Sequence, residues 1–240
     1  MVCSSGVSFD PVLDGVRLLF GFESVWQGTA VLYDRDTRSL WMHVTGECFD
    51  GPRKGRRLRP LPTGTHTTWA AWRRDHPDTD AMAPDVRFAG RYFTREEARS
   101  GVDFLSPAFA RSITKRDERL PLSELLLGVR AGAARRAYPL ARLAQGEGVV
   151  EETVGGVPTT VWFDASSRTA VAFDARLDGG ARSFERRDGG FFERGTANRF
   201  DLEGRCVAGE RTGQRLARVE SLLAEWYGWF AHHPDTTVWP

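Results

Sequence analysis

The chain has 240 residues, of which 41% are apolar, 27% charged and 11% aromatic, and its formal net charge is +1. This length suits one large domain or two small ones, with enough apolar residues to bury a core. The balanced charge argues against a dedicated nucleic-acid-binding protein, and no apolar run approaches the roughly 18 residues of a membrane helix. The first residues also lack a signal-peptide pattern. We therefore expect a cytoplasmic protein that binds neither nucleic acid nor membrane.

Three segments recur in the same order along the chain. The matching pairs are 7–15 (VSFDPVLDG) with 171–179 (VAFDARLDG), 46–48 with 204–206, and 69–79 with 226–236. The spacing between the two copies changes by only a few residues. We interpret the chain as two copies of one supersecondary unit related by a pseudo-twofold axis, since the period is too long for a solenoid.

Hairpins dominate the predicted elements of both copies. Residues 9–22 predict a hairpin that turns at Asp14 and Gly15, and residues 172–184 predict its counterpart, because Asp-Gly is a strong hairpin signal. In copy one, residues 30–33 and 39–44 predict a second hairpin. Residues 191–202 in copy two are weaker strand formers.

The middle of the chain differs from both copies. Residues 84–120 are polar and predict an irregular connector, with a helix at 94–100. Two further hairpins and one helical turn are then predicted, at 125–129 with 134–138, at 149–154 with 157–163, and at 140–145. This block of strands leads into copy two, and copy one has no such lead-in.

A short helix is predicted to close each copy. In copy one it spans residues 67–76 and directs Trp69 and Trp72 inward. In copy two it begins at Ser221, which can cap it. Its inward residues at three- and four-residue spacing are Leu222, Leu223, Trp226, Trp229, Phe230 and His233.

These elements predict an α+β, β-rich fold made of two pseudo-symmetric repeat units of β-hairpins, each closed by a short helix. Residues 1–83 form the first unit, without lead-in strands. Residues 84–120 form the connector, and residues 121–240 form the lead-in strands and the second unit, all within one compact domain. The missing lead-in leaves an exposed edge on the first repeat. We expect the N-terminus and connector to cover this edge, or a second chain to form a homodimer there.

The three cysteines do not form a disulfide framework, because they are odd in number and widely spaced. Cys48 and Cys206 are expected to be small buried residues. Cys3 is the one candidate for a functional thiol. No CxxC or HxxxH pair is present, so we expect no closed structural metal site, and no cofactor is indicated.

Cys3, His43 and Asp10 are the candidate catalytic residues. Trp41 and His43 alternate onto one face of a predicted strand. If that face lines a cleft shared with Cys3, a thiolate beside an imidazolium would be a nucleophile or a soft metal ligand, with Asp10 assisting. The alternatives are that His43 is structural and that Asp10 lies on a solvated face.

Aromatic residues suggest a ligand site. Two small units cannot fully bury eight tryptophans, so a pocket for an apolar or aromatic ligand is expected between the copies. Trp26, in a predicted loop, is the best candidate, with Trp41 and Tyr33 beside it. The basic segment 53–59 is interpreted as a solvated loop or an edge strand whose charges oppose pairing with another chain, rather than as a phosphate site.

Several runs resemble the bacterial and archaeal family called domain of unknown function 3179. They include 33–41 (YDRDTRSLW), 127–140 (LGVRAGAARRAYPL) and 148–156 (GVVEETVGG). The resemblance implies a tandem duplication and assigns no activity. Members usually carry a Cys-Pro-Leu-Cys-like segment and a polar Asn-Ser-Asp-like step, and this chain has Cys3 and Gln27-Gly-Thr instead.

Two functions remain open from the sequence. The first is binding or conversion of a small apolar or aromatic molecule in a pocket between the repeats, which fits a role in bacterial secondary metabolism. The second is a non-catalytic interaction or scaffold module that uses the exposed edge of the first repeat. A thiol–metal site at Cys3 is a third, weaker hypothesis, and no reaction type follows from the residues.

Overall fold

The computed structural model describes residues 4–61, 66–92 and 107–240. Within these ranges the protein is β-rich and its few helices are short. No helix in the described part of the chain has the length and apolar content needed to cross a membrane.

The first half contains a small hairpin and a four-stranded sheet. The hairpin pairs Val12–Leu13 (β1) with Val16–Arg17 (β2). Its turn residues, Asp14 and Gly15, both have positive φ (51° and 79°), as a two-residue primed turn requires. This confirms the predicted turn.

The sheet follows chain order and is antiparallel throughout. Its strands are Phe20–Trp26 (β3), Thr29–Asp34 (β4), Leu40–Met42 (β5) and Cys48–Asp50 (β6). One face packs on a small core of Leu18, Trp41, Cys48 and Leu58. The predicted second hairpin is thereby confirmed as β4 and β5.

Strands β3 and β4 form a hairpin that the sequence analysis did not predict, and its tip contacts the second half. It turns at Gln27 and Gly28, so Trp26 is the last residue of β3 and the predicted loop there is wrong. A Cβ on Gly28 would lie 2.4 Å from the ring of Tyr227, so only glycine fits this contact. The Gln27 side chain also accepts from the backbone N–H groups of Thr114 and Lys115 (2.9 and 3.0 Å).

Among the described residues between the two halves, three segments are helical. They are Trp69–Asp75 (α1), the 3₁₀ helix Val86–Arg91 and Pro107–Ser112 (α2). Thr68 caps α1 by accepting from the N–H of Ala71, which confirms the predicted helix to within two residues. The predicted helix at 94–100 lies outside the described residues.

The predicted inward orientation of Trp69 and Trp72 is wrong. The two side chains are 50% and 40% exposed. Helix α1 is only seven residues long, and Ala71 is its one buried residue. The three- and four-residue spacing of the tryptophans therefore places them together on a face that no described element covers.

The lead-in strands form the central layers of the second half. Leu125–Ala131 (β7) and Ala134–Pro139 (β8) pair as one hairpin, and Val149–Val154 (β9) and Val157–Asp164 (β10) pair as another. Leu140–Leu143 (α3) connects them, and Thr169–Asp174 (β11) pairs with β10. These elements confirm the hairpins and the helical turn predicted here.

A second four-stranded sheet follows. The small hairpin of Arg176–Leu177 (β12) and Gly180–Ala181 (β13) precedes it. Its strands are Phe184–Arg187 (β14), Gly190–Glu193 (β15), Arg199–Phe200 (β16) and Cys206–Ala208 (β17). Trp162 from β10 fills its core and contacts the rings of Phe173, Phe184, Phe191 and Phe200.

The predicted helix start at Ser221 is wrong. Glu220–Glu225 is strand β18, which pairs with β7, and the helix is only Trp226–Phe230 (α4). The sheet β18–β7–β8, completed by Thr237–Val238 (β19), is buried on both faces. Leu222 therefore packs on one side and Leu223 on the other, and an apolar run of this kind resembles a helix in sequence.

Helix α4 joins the two halves through a mixed core. Trp226, Tyr227 and Trp229 are buried there together with Val44 from the first half and Ile113 from the connector. Gly128 in β7 leaves space for the indole of Trp229, since a Cβ at that position would lie 2.3 Å from its ring.

We predict that alanine substitution lowers the free energy of unfolding by very different amounts at Trp229 and at Trp72. Trp72 and Trp229 each donate from Nε1 to a threonine seven residues later at 2.9 Å, yet Trp229 is fully buried and Trp72 is half exposed. Trp229→Ala should lower the free energy of unfolding by about 3–5 kcal/mol. Trp72→Ala should lower it by less than about 1 kcal/mol. Urea denaturation measures both, and equal losses would contradict the assigned burial.

Candidate functional site

An apolar groove lies on the open face of the β3–β6 sheet. Its volume is about 510 Å³. Its lining residues are Ser24, Val25, Trp26, Val31, Leu40, Met42, Thr45, Glu47, Phe49 and His232. All but His232 come from the first half, so this surface, the Trp26 groove, lies where the first sheet meets the end of the second half.

Strand alternation produces the groove. Val31 pairs with Met42 across β4 and β5, and these two face the groove, while the neighbouring pair Leu32 and Trp41 faces the opposite side. An irregularity between β5 and β6 then directs Phe49 to the groove. The sheet is therefore apolar on both faces, and only one face has a core of its own.

Trp26 forms one wall of the groove. Its side chain is 40% exposed. The ammonium of Lys115 lies 4.9 Å from the indole centroid, and the ring of His232 lies 5.5 Å away. These contacts orient the indole and leave part of it open to the groove.

His232 is a neutral polar group at the end of the groove. Its Nε2 lies 2.9 Å from Oγ1 of Thr29, which in turn donates to the backbone carbonyl of Trp26 at 2.8 Å. Burial lowers the pKa of His232 to about 4, with smaller contributions from His43 and Lys115. At neutral pH the imidazole is therefore uncharged.

His43 and Trp41 line a smaller cavity of about 120 Å³ on the other side of the sheet. The Nε2 of His43 lies 2.9 Å from Oγ of Ser5, and Nδ1 lies 3.0 and 3.1 Å from the backbone N and O of Ala30. Burial lowers the pKa of His43. The two side chains thus share a cavity, as their alternation predicts, within a network of structural contacts.

Trp41 and Tyr33 lie outside the Trp26 groove. Trp41 is buried and donates from Nε1 to Asp34 at 2.9 Å. Asp34 also accepts from Arg53 at 2.6 Å. Tyr33 lies on the groove side of β4 but beneath the guanidinium of Arg38, 3.7 Å from its ring centroid. Trp26 is thus the one predicted ligand residue that lines the groove.

The structure does not bring Asp10 to His43. Asp10 accepts from the N–H of Val12 at 2.9 Å and from Arg59 at 2.6 Å, and these contacts lower its pKa. Cys3, the proposed nucleophile, lies outside the described residues. The combination of Cys3, His43 and Asp10 therefore stays a prediction.

Neither of the described cysteines indicates chemistry. Cys48 and Cys206 are buried, as expected, and burial raises the pKa of both thiols. Among residues 4–61, 66–92 and 107–240, no group of three or more His, Cys, Asp or Glu side chains is placed to hold a metal ion.

Carboxylates neutralise most of the basic segment 53–59. Arg53 pairs with Asp34 at 2.6 Å, Arg57 pairs with Glu220 at 3.1 Å, and Arg56 and Arg59 pair with Asp14 and Asp10. These ion pairs support the interpretation of this segment as a charge-balanced stretch.

Sequence reasoning missed His232, Lys115 and Phe49. His232 and Lys115 reach the groove through contacts between distant segments, and nothing in their local spacing indicates this. Phe49 carried a usable signal, because β4, β5 and β6 are apolar at consecutive positions. That pattern predicts a sheet with two apolar faces.

We predict that the protein loses stability as the pH falls from about 6.5 towards 4. Burial holds the pKa of His233 at about 3 and that of His232 at about 4, against 6.5 in the unfolded chain. The unfolded state therefore binds more protons in this range, and the stabilisation that is complete above pH 6.5 is lost on acidification.

His233→Phe should remove the contribution of one of these two histidines to the pH dependence of stability. Phenylalanine keeps the stacking on Trp229, and Nε2 of His233 is buried without a hydrogen-bond partner in the described structure. Denaturation between pH 7.5 and 4.5 should show about one proton fewer taken up on unfolding. An unchanged pH dependence would show that His233 is not a buried neutral imidazole.

Comparison with known proteins identifies a family. No curated protein and no solved structure matches the chain. The sequence model of one family matches residues 1–236, which is nearly the whole chain. The chain therefore belongs to the family described as Protein of unknown function (DUF3179).

Proposed function

We propose that this protein binds a small apolar or aromatic molecule in the Trp26 groove. The observation that carries the proposal is an apolar groove on this sheet face, bordered by the partly exposed side chains of Trp26 and Phe49. Its volume of about 510 Å³ lies within the usual range of small-molecule sites, about 300–1,000 Å³. The few polar groups at its margin, such as Thr45 and His232, resemble those that orient ligands in such sites.

A comparison with the second four-stranded sheet supports the proposal. There the corresponding outer face carries Phe192, Arg199 and Val207. The guanidinium of Arg187 lies 4.3 Å from the ring centroid of Phe192 and covers it. The two tandem sheets therefore differ at this position, since Arg187 covers Phe192 on the second sheet and Trp26 borders a groove on the first.

The two halves are proposed to be copies of one unit, which makes this comparison meaningful. Several contacts recur with nearly identical lengths. Leu58 donates to Gly46, and Leu216 donates to Gly204, both at 2.9 Å. A Cβ on Gly46 or on Gly204 would lie 2.5 Å from the ring of Phe9 or Phe173, respectively. The groove would then be a feature that copy one has and copy two lacks.

Binding is proposed rather than conversion. His232 is the only imidazole of the groove, and it is uncharged and engaged with Thr29. The candidate residues His43 and Asp10 lie elsewhere in the first half and have separate partners. Nothing in the described groove combines a nucleophile with a general base.

We predict that Trp26→Ala weakens the binding of a neutral aromatic probe by about tenfold or more. Removing the indole deletes a wall of the groove, and aromatic rings supply much of the contact area in such sites. Titration with N-phenyl-1-naphthylamine, followed by its fluorescence, measures the affinity. Trp69→Ala is the matched control, since the Trp69 side chain is also largely exposed (50%, against 40% for Trp26) but lies outside the groove. Equal affinities in both variants would refute the proposed site.

The edge of the first sheet supports a second candidate function, an interaction module. Strand β3 is seven residues long, and one of its edges pairs with no strand in the described part of the chain. Phe22 on this strand is 61% exposed. Unpaired edges of this kind are sites of strand pairing, and two copies of β3 could pair antiparallel about a twofold axis.

We predict that the wild-type protein forms a dimer through β3 and that Phe22→Lys dissociates it. A lysine on an edge strand opposes edge-to-edge pairing. Size-exclusion chromatography with light scattering gives the mass of each form. Val86→Lys is a control at another exposed apolar residue. A monomeric wild type would rule out this homodimer.

A further inference from the structure

We propose that the Trp26 groove selects molecules in which an apolar body carries a cationic group, such as arylalkyl amines. This inference rests on the proposed binding function and specifies the class of ligand. It follows from the charge of the groove, from the surroundings of Glu47 and from the orientation of Trp26.

The lining of the groove carries a single formal charge at neutral pH. Glu47 is the one acidic residue of the lining, and the lining contains no lysine or arginine. His232 is neutral because burial depresses its pKa. One negative charge beside an apolar surface attracts a cation more strongly than it would in bulk water, because the surroundings screen it less.

The backbone of Glu47 is fixed, and its carboxylate is available. Its carbonyl accepts from the N–H of Met42 at 2.9 Å, and its own N–H donates to Oγ1 of Thr45 at 3.2 Å. The side chain is exposed and forms no ion pair within 4 Å in the described structure. A ligand cation could therefore meet this carboxylate without displacing a resident partner.

The neighbouring cations already have partners of their own. Arg57 and Arg130 both pair with Glu220, at 3.1 and 3.0 Å. Lys115 contacts the indole of Trp26 and donates to the carbonyl of Ala231 at 3.3 Å, and it is not part of the groove lining. Glu47 lies opposite Arg57 in a β-bridge and interacts electrostatically with Arg130, and it is the one charged residue of the groove lining.

Trp26 supplies an aromatic wall for such a ligand. The ammonium of Lys115 already lies 4.9 Å from its indole centroid, so a ligand would contact Trp26 through its own ring rather than through its cation. An aromatic ligand could pack on the exposed part of Trp26 while its amine reaches towards Glu47. The groove therefore combines an apolar surface, an aromatic wall and one anionic group at its margin.

Three naphthalene derivatives of matched shape test this inference. 1-Naphthylmethylammonium is cationic, 1-naphthylmethanol neutral and 1-naphthylacetate anionic at pH 7.5. Isothermal titration calorimetry at low ionic strength should show the cation binding about tenfold more tightly than the anion, with the alcohol between them. Raising the salt concentration should narrow this difference.

Glu47→Gln should remove the charge preference, so that the cation and the anion bind with similar affinities. Glu210→Gln is the control, because it changes the net charge equally at an exposed position after β17. Retention of the preference in Glu47→Gln would overturn the role of Glu47. If all three compounds bind equally to the wild type, charge selection is refuted and the binding function stands. If none of them binds, the binding function itself is refuted.

Discussion

A β-sheet has two faces, and each apolar face must be covered by something. In the first four-stranded sheet, Leu32 and Trp41 point towards a small core, while Val31 and Met42 point the other way. Val31 and Met42 are nearly buried, but Trp26 and Phe49 on the same side are 40% and 41% exposed. The groove, its tryptophan wall and its exposed edge strand all follow from this unequal covering.

The same sheet is held to the second half by one structural element. The β3–β4 hairpin extends beyond its neighbours and places Gly28 against Tyr227, a residue of the mixed core around helix α4. Gln27 fixes the same tip to the connector through Thr114 and Lys115. This attachment brings His232 to the end of a groove that otherwise belongs to the first half. The site is consequently shared by two parts of the chain that lie about two hundred residues apart.

The sequence predicts the hairpins well, for local reasons, and the buried faces of the helices poorly. Asp14 with Gly15 and Gly155 with Gly156 carry turn chemistry that leaves few alternatives. Helix faces depend on distant partners. Trp72 and Trp229 sit in the same local pattern, yet only Trp229 meets a glycine of β7 that admits its ring. Ser221 does not cap a helix because residues 220–225 pair with strand β7 in a sheet that is buried on both faces.

The candidate site was only partly accessible to sequence reasoning. Trp26 was identified as an aromatic residue outside the core, although it ends a strand rather than lying in a loop. The sequence does not identify His232 and Glu47 as groove residues. Tertiary contacts of the hairpin tip and of β6 bring these two residues to the groove.

The length of that hairpin has a consequence for how the family can vary. Side chains alternate along a strand, and the paired positions Val25–Ala30 and Trp26–Thr29 set which residues face the groove. Inserting a single amino acid into either arm would rotate the indole to the opposite side of the ribbon and withdraw the tip from its aromatic seat on Tyr227. Homologues that keep the indole on this face should therefore lengthen or shorten the hairpin by two residues in each strand.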